Sequence, residues 1–517
     1  MKAVTFSIEL FAYLRRVQAR SSYWLTRFVI LRLVGLVYLA AFVSLARQVL
    51  PLLGSRGLLP AQDFLTLVRG RFGSATGGFL VLPSIFWMGI SDHALIVLAW
   101  AGAALSLVVM LGYANAVMMA VLWMLYTSFV NIGQDWYSYG WEIQLLETGF
   151  IAMFLCPLLD ARPFPKQPAP VLIIWLFRWL IFRIMVGAGL IKLRGDACWR
   201  DLTCLYTYYE TQPIPNSLSR FFHFQPHWLL KLEVLWNHCI ELVVPWFAFG
   251  PRRARHVAGV LLGSFQIILI LSGNLSFLNY LTIVPILACF DDSLLAKVLP
   301  RFLVDRALRA AAENKPLDRA PEILSVAFAG VVLFLSIAPV LNLFSGRQVM
   351  NGSFDTLHLV NTYGAFGSVG RERDEIIFEG TSDATIGPGT VWKAYEFPFK
   401  PGDPMRRPGV VAPYQPRLDW AIWFAAMSTP GEYPWTLHFV WKLLHNDAGT
   451  LGLLANNPFP GEPPRMIRAQ LYRYRFAQPD NPAGAWWERE LIGTWLPPLS
   501  TDDAIWQQTR QVYGWPK

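Results

Sequence analysis

Nine apolar runs, each close to the length of a membrane-crossing helix, occupy most of the first two thirds of this sequence. The hydrocarbon core of a bilayer is about 30 Å thick, and an α-helix of about 20 apolar residues crosses it. Because backbone groups in hydrocarbon must be paired within their own segment, each run is predicted to be a helix. The predicted spans are residues 28–50, 94–112, 115–133, 141–158, 171–193, 231–249, 256–273, 275–290 and 322–344.

The composition agrees with a polytopic membrane protein. Hydrophobic residues make up 54% of the 517 residues and charged residues only 15%, whereas about 25% of the residues of a soluble domain are charged. The net charge of +9 could indicate a nucleic-acid-binding protein, but the positive-inside rule and the anionic inner leaflet explain it more simply. We therefore expect membrane lipid, and no nucleic acid, as a partner.

The Lys and Arg residues of the loops predict how the spans are oriented. With nine spans and the N-terminus in the cytoplasm, residues 1–27 form a cytoplasmic segment with five basic residues, and residues 291–321 hold six. The long loops on the other side, 51–93 and 194–230, hold three each. Residues 28–344 are thus predicted to form a transmembrane domain, and residues 345–517 are predicted to lie in the lumen or periplasm.

Residues 345–517 differ in character from the apolar part. Alternating runs at 374–380, 390–399 and 466–476 are typical of strands, and WTLHFVWKLL (435–444) is typical of a helix. About 170 residues are enough for a separate hydrophobic core. The predicted fold is therefore a polytopic α-helical membrane bundle of about nine spans, followed by a β-rich, β-sandwich-like extracytoplasmic domain.

Ionisable and amide side chains occur inside the predicted spans, where they are costly and usually face a bundle interior or a cavity. Glu233, Asn237 and Glu241 recur every four residues, which places them on one face of the sixth helix. The other members of this intramembrane polar set are Glu142, Gln144, Glu147, Arg178, Arg183, Lys192 and His238. Two interpretations stay open: ion pairs that fix how the helices pack, or a buried polar cavity between spans four, five and six.

Lys192, at the end of the fifth span, also has two interpretations. Its charged end could simply reach the membrane interface, or the side chain could be buried and act as a catalytic base or nucleophile. In the second case Glu147, His238 or Glu241 is its catalytic partner. The eight His residues show no metal-ligand spacing, and the signature motifs of soluble enzymes are absent. We therefore expect neither a metal nor a cofactor.

Cys198 and Cys204 lie in one loop on the predicted outer side. An oxidising compartment permits a disulfide between them, and we predict that they form one. A redox-active pair is the alternative, although the spacing is not Cys-x-x-Cys.

Four long segments resemble the lipase maturation factor family. They are FRIMVGAGLIKLRGDACWRDLTCLYTYYETQPIPN (182–216), LSGNLSFLNYLTIVPILACFDD (271–292), RLDWAIWFAAM (417–427) and LLANNPFPGEPPRMIRAQLYRYRF (453–476). The resemblance is colinear and implies a membrane factor that helps secreted lipases fold and assemble into active dimers. The expected partner is a secreted lipase, or another exported client protein, that meets the lumenal domain. The resemblance places such a factor in the endoplasmic reticulum membrane; in a bacterium the inner membrane would take its place.

A weaker resemblance indicates a different class of function. GLIKLRGDACW (189–199) is similar to the segment around the catalytic lysine of the vitamin K-dependent carboxylase group, and Lys192 matches that base. This implies an intramembrane carboxylase-like enzyme that acts on a lipid or quinol-like substrate. A folding factor needs no catalytic residue and would instead present aromatic surface to its client, for example Trp435, Trp441, Trp486 and Trp487. The sequence leaves open whether the protein is an enzyme.

Overall fold

The structure is a computed structural model that describes residues 22–313 and 319–513 of the chain. The described residues up to Phe344 are mostly helical. Their helices are α1 (Trp24–Leu53), α2 (Ala61–Phe72), α3 (Ala75–Val81), α4 (Asp92–Leu111), α5 (Ala116–Ile132), α6 (Gly140–Met153), α7 (Val171–Arg194), α8 (Ala197–Arg200), α9 (Leu205–Thr211), α10 (Ser219–His223), α11 (His227–His238), α12 (Arg252–Ser272), α13 (Leu278–Ile286), α14 (Asp292–Val298), α15 (Arg301–Ala312), α16 (Arg319–Leu335) and α17 (Ile337–Phe344). Most of the predicted cytoplasmic segment 1–27 lies outside the described residues, and α1 begins at Trp24 rather than at residue 28.

Five helical segments in the described part of the chain are long and apolar enough to cross a membrane. They are Trp24–Leu53, Asp92–Leu111, Val171–Arg194, Arg252–Ser272 and Ala320–Phe344. Two shorter apolar helices, Ala116–Ile132 and Leu278–Cys289, coincide with the third and eighth predicted spans. The membrane-helix character of the first part is thus confirmed, whereas the count of nine spans stays a prediction.

The fourth and sixth predicted spans are the least regular. Helix α6 has 14 residues, fewer than the predicted run 141–158. Helix α11 continues into a π turn, Cys239–Val243, and then a 3₁₀ turn, Val244–Phe249. Pro245 has no N–H to donate to the preceding turn, which interrupts the α-helical pattern. The π turn contains Glu241, and such turns often occur at functional sites.

Many helix ends of the bundle meet on one side, which we call the basic face. It consists of residues 22–32, 109–115, 156–167, 251–256 and 288–292. The hydrogen bonds that join it are Arg27–Gln167 (2.8 Å), Arg32–Val109 (3.2 Å), Leu25–Asp292 (2.9 Å) and Arg255–Cys289 (2.8 Å). Helix α1 therefore begins at the side where α4 ends and α12 begins, so that successive apolar helices run in alternating directions.

The residues after Phe344 contain a small antiparallel sheet and further helices. The strands are β1 (Arg373–Thr381), β2 (Lys393–Ala394), β3 (Met466–Phe476) and β4 (Trp487–Ser500), in the spatial order β2-β1-β3-β4. The helices are α18 (Arg417–Ala426), α19 (Trp435–Leu444), α20 (Ala448–Leu451) and α21 (Ile505–Tyr513). The strands predicted at 374–380 and 466–476 and the helix predicted at 435–444 are confirmed, whereas the run 390–399 contributes only two strand residues.

Helices, rather than a second sheet, cover the described sheet. Phe378 of β1 contacts Phe439 of α19, with ring centroids 5.0 Å apart, and α18 also packs against β1. Strand β1 is buried on both faces of the sheet, because its neighbouring residues Ile376 and Ile377 are 0% and 3% exposed. The alternating pattern predicted the strands themselves. It could not distinguish a second sheet from helices as the covering layer, and this is where the sandwich-like expectation differs from the structure.

The C-terminal residues pack directly on the helical bundle, at the ends opposite to the basic face. The backbone N–H of Arg417 donates to Gln48 of α1 at 2.9 Å, and His438 Nδ1 lies 2.9 Å from the Leu58 carbonyl oxygen. Asn274, just after α12, accepts from the backbone N–H of Val411 at 2.8 Å. One hydrophobic cluster contains side chains of both parts. The candidate site lies between them.

Candidate functional site

Lys192, in the last turn of α7, lies at the centre of a buried polar cluster. Its Nζ is 2.6 Å from Glu241 Oε1 and 2.9 Å from Asn237 Oδ1. Asn237 Nδ2 in turn donates to Glu241 Oε2 at 3.0 Å. Only 5% of Lys192 is exposed, so its ammonium group is enclosed by protein. The four-residue spacing that the sequence showed brings Asn237 and Glu241 to the same ammonium group.

Aromatic and backbone groups complete the surroundings of this cluster. The Lys192 ammonium lies 4.9 Å from the centre of the Trp199 ring, a cation–π contact. His238 Nε2 lies 3.0 Å from the Trp199 carbonyl oxygen, so that His238 is placed beside the cluster without a hydrogen bond to Lys192. A Cβ on Gly189 would lie 2.6 Å from Leu242, which shows how closely α7 approaches the π turn. Burial, and secondly the Glu241 carboxylate, raises the pKa of the nearby Tyr208 hydroxyl.

Glu147 belongs to a separate cluster and does not contact Lys192. Its carboxylate forms a buried ion pair with Arg183 of α7. The same carboxylate accepts from the backbone N–H of Asn361 at 3.0 Å and from the Tyr363 hydroxyl at 2.7 Å. Arg183 also donates to the Asn361 carbonyl oxygen at 2.7 Å. The structure therefore gives Glu147 a role in joining α6, α7 and the segment after α17, and Lys192 a different partner.

Glu142 forms a third buried cluster, with a residue from the C-terminal part. Arg417 Nη1 lies 2.8 Å from Glu142 Oε1, which also accepts from Trp141 Nε1 at 2.9 Å. Tyr126 donates to the other carboxylate oxygen. Breaking a buried pair by removing one charge typically costs about 3–5 kcal/mol. The ion-pair interpretation of the polar set therefore applies to Glu142 and Glu147, although the partner of Glu142 lies far along the chain.

The remaining predicted polar residues lie apart from these clusters. Arg178 is at the basic face, where it donates to the Ala288 carbonyl oxygen at 2.9 Å and to the Tyr23 hydroxyl at 3.0 Å. Glu233 accepts from the Tyr209 hydroxyl at 2.9 Å. Neither residue contributes to the surroundings of Lys192.

The loop after α7 is fixed to the segment that precedes the sheet. The structure contains a disulfide between Cys198 and Cys204. The Asp196 backbone N–H donates to the Gly367 carbonyl oxygen at 2.9 Å, and Trp199 Nε1 donates to the Phe366 carbonyl oxygen at 2.8 Å. The loop is thus held between the Lys192 cluster and the C-terminal part.

A cavity of about 820 Å³, which we call the interdomain cavity, lies between α6, α7, α12, α13, α18 and the segment 350–368. Its buried polar lining side chains are Gln144, Glu241, Gln266, Asn279 and Thr282. Its apolar walls include Trp141, Ile184, Phe265, Trp420 and Phe424. The cavity thus includes residues of the predicted spans four, five and six, but spans seven and eight and the C-terminal part also line it. The Lys192 cluster reaches it through Glu241.

The sequence interpretation missed the residues that come from distant segments. Asn361, Tyr363 and Arg417 bind the predicted glutamates, and no spacing within the spans could indicate them. Gln266 and Asn279 were also missed, although an amide inside an apolar run is a detectable signal. Among the described residues, no three His, Cys, Asp or Glu side chains form a group that could hold a metal ion.

Comparisons with known proteins cover nearly the whole chain. Residues 25–297 match the model of the lipase maturation factor transmembrane domain, and residues 359–497 match that of the lipase maturation factor C-terminal domain. The chain is 48% identical to Lipase maturation factor 1 of Bos taurus, over 96% of this chain and 92% of the relative. It is also 48% identical to Lipase maturation factor 1 of Homo sapiens, over 96% of this chain and 91% of the relative. Lipase maturation factor 2 of Homo sapiens is 30% identical to this chain, over 95% of this chain and 85% of the relative. No solved structure matches the chain significantly.

Proposed function

This chain belongs to the lipase maturation factor family and is an integral membrane protein, and we propose that it assists the folding or assembly of secreted lipases or other exported proteins. The observation that carries the proposal is the 48% identity to Lipase maturation factor 1 over 96% of this chain. Both the helical bundle and the C-terminal part are included in that similarity. The proposed partners are a secreted lipase or another exported client protein, together with the lipid of the membrane.

The proposed topology has nine spans, a cytoplasmic N-terminus and an extracytoplasmic C-terminal part. The alternating helix directions support this count, with α6 and the continuous segment His227–Phe249 as two short crossings. Trp246 is 61% exposed and Leu232 is 51% exposed, as expected for a helix that faces lipid. The basic face holds Arg27, Arg32, Arg162, Lys166, Arg252, Arg253 and Arg255. Because basic residues favour the cytoplasmic side, the C-terminal part lies on the other side.

We propose that the client contacts the outer edge of the sheet. Strand β4 ends the strand order, and its Leu491 is 54% exposed. An edge strand offers backbone N–H and C=O groups that an extended, partly folded segment can pair with. Trp435 and Trp487, named as client-facing from the sequence, are 1% and 2% exposed. These two are core residues, so the assignment was wrong for them, whereas Trp441 and Trp486 are only partly buried.

The experiment that tests this function is co-isolation of a newly made lipase with the full-length chain from endoplasmic reticulum membranes. We expect newly synthesised lipase to co-isolate, and mature secreted lipase to be absent. Leu491→Lys should reduce the recovered lipase severalfold, because a charge on the edge disfavours pairing. The matched control is Leu67→Lys, which changes a residue of α2 that is 67% exposed. Equal recovery with all three proteins would refute the proposed contact, and no recovery with any of them would refute client binding.

A second candidate function is an intramembrane enzyme with Lys192 as its base. The observation that favours it is the position of Glu241, which binds Lys192 Nζ at 2.6 Å and also lines the interdomain cavity. A substrate in the cavity would meet the carboxylate first and the lysine behind it. Lys192, Glu241 and His238 would then form the catalytic group, while Glu147 is too firmly held by Arg183 to join it.

A further inference from the structure

The amide side chains of the interdomain cavity have unused hydrogen-bonding capacity. Gln144 Nε2 donates to Thr282 Oγ1 at 3.0 Å, and Asn279 Nδ2 donates to Gln266 Oε1 at 2.9 Å. Among the described residues, the hydrogen bonds of Gln144 and Asn279 use their side-chain nitrogens, and Gln144 Oε1 and Asn279 Oδ1 stay accessible at the cavity surface. Both side chains are more than nine-tenths buried and line the cavity. The end of the cavity inside the bundle therefore presents two free acceptors.

At the same place, the side-chain amide of Gln266 is a donor with only a weak partner. Gln266 Nε2 contacts only the Met185 sulfur, at 3.9 Å, and a thioether is a poor acceptor. Buried polar groups are nearly always paired in native proteins, because an unpaired group loses its hydration without compensation. Two further lining residues, Trp420 and Trp435, have buried ring N–H donors without a partner in the described part of the chain. These acceptors and donors together match a hydroxyl-bearing group, which can donate and accept.

The rest of the cavity fits an apolar body without a negative charge. The walls carry the Trp141 and Trp420 rings, 5.0 Å apart, and the side chains of Phe265, Leu269 and Phe424. The carboxylate of Glu241 is neutralised by Lys192. Two further acids, Asp135 and Glu432, are exposed lining residues at the outer end, and they disfavour an anion. The volume of about 820 Å³ lies within the usual range of ligand sites.

We propose that the interdomain cavity binds a neutral, hydroxyl-bearing lipid of the monoacylglycerol class. The hydroxyl groups donate to Gln144 Oε1 and Asn279 Oδ1, and the acyl chain lies along the aromatic walls. Both acceptors are thereby paired. This site depends neither on the lipase role nor on any chemistry at Lys192.

The test is equilibrium binding of radiolabelled 1-oleoylglycerol to the full-length protein in lipid nanodiscs. We expect saturable binding that unlabelled 1-oleoylglycerol displaces. Methyl oleate lacks hydroxyl donors and would leave an acceptor unpaired, whereas oleate would bring a negative charge near the acids of the cavity. Each should therefore compete at least about tenfold more weakly than 1-oleoylglycerol. Equal competition by methyl oleate would overturn the proposal.

Substitutions in the interdomain cavity test whether 1-oleoylglycerol binds there. Gln144→Leu removes an acceptor and Ala188→Trp fills part of the cavity, because Ala188 is a buried lining residue of α7. Each should weaken 1-oleoylglycerol binding about tenfold or more, while Gln62→Leu, an exposed site on α2, should leave it unchanged. Unchanged binding by a folded Ala188→Trp protein would overturn the site. If neither cavity variant folds, competition by methyl oleate and oleate on the wild-type protein still tests the proposal. Displacement of the probe by an apolar peptide, but not by unlabelled 1-oleoylglycerol, would also overturn it.

Discussion

Arg417 Nη1 lies 2.8 Å from Glu142 Oε1, in a fully buried ion pair between residues 275 positions apart. Arg417 begins α18 in the C-terminal part, and Glu142 is in the first turn of α6 in the bundle. The Glu147 cluster makes a second such link, through Asn361 and Tyr363. These links hold the C-terminal part on the end of the bundle where the Lys192 cluster and the interdomain cavity lie.

Replacing Arg417 with Met should destabilise the protein strongly. The substitution leaves the Glu142 carboxylate buried without its charge partner, which typically costs about 3–5 kcal/mol. The measurement is thermal unfolding of the purified full-length protein in detergent. Arg371→Met is the matched control, because Arg371 is exposed, and its melting temperature should stay close to that of the wild type. Equal melting temperatures for both variants would show that the buried pair contributes nothing.

Gly187→Ala should lower stability because α7 lies directly against the segment after α17. A Cβ at Gly187 would collide with the Tyr363 carbonyl oxygen, and overpacking of this kind costs about 1–3 kcal/mol. Gly263→Ala in α12 is the control, since nothing lies within 4 Å of a Cβ there. We expect a lower melting temperature for the first variant and an unchanged or higher one for the second. The reverse order would mean that α7 and the Tyr363 segment are not in contact.

Protonation of His438 should contribute to the loss of stability at acidic pH. Burial lowers the pKa of His438 from 6.5 to about 4. The unfolded chain therefore binds a proton first as the pH falls below 6.5, and folding stability is lost between about pH 6.5 and pH 4. The effect is on the order of 3 kcal/mol for a shift of this size. His438→Gln, measured against wild type by denaturant unfolding at pH 7.5 and pH 5, should show a smaller difference between the two pH values. An equal or larger difference would contradict the assignment.

The side of the membrane on which the C-terminal part lies can be read from glycosylation. Pro388→Asn places an asparagine two residues before Thr390, in an exposed loop, and so creates an acceptor sequence. In cells of a eukaryotic host, we expect a slower-migrating species that endoglycosidase H removes. Pro388→Gln is the control and should show no shift from the wild type. Absence of glycosylation in the Asn variant, with normal protein levels, would contradict an extracytoplasmic C-terminal part.

Lys192→Arg distinguishes the two candidate functions. Arginine keeps the positive charge that neutralises Glu241, but it does not serve as a base because its guanidinium stays protonated. If the protein acts by binding, lipase maturation by the Lys192→Arg variant should stay within about twofold of wild type. A complete loss, with normal melting temperature and membrane insertion, would instead favour the intramembrane enzyme.

Local patterns were predictable from the sequence because they depend on neighbouring residues. The periodicity of WTLHFVWKLL predicted helix α19 at 435–444, and alternation predicted β3 at 466–476. The spacing of Asn237 and Glu241 predicted that they share a helix face, and both bind Lys192.

Contacts between distant segments were not predictable in this way. Glu147 was considered as a partner of Lys192 since their spans are adjacent in sequence, yet Arg183 of the same helix as Lys192 binds it. His238 turns toward the Trp199 carbonyl oxygen because α8 lies beside α11. A polar cavity was predicted between spans four, five and six, but not the parts of its wall that α18 and the segment 350–368 form.

Rescue of lipase maturation would show whether the chain assists the folding or assembly of a secreted lipase. The full-length chain is expressed in cells that lack their own lipase maturation factors and secrete a reporter lipase, and the activity per amount of secreted lipase protein is measured. We expect the chain to raise this specific activity well above that of cells with an empty vector. Abundant, correctly inserted protein with no gain in lipase specific activity would contradict it.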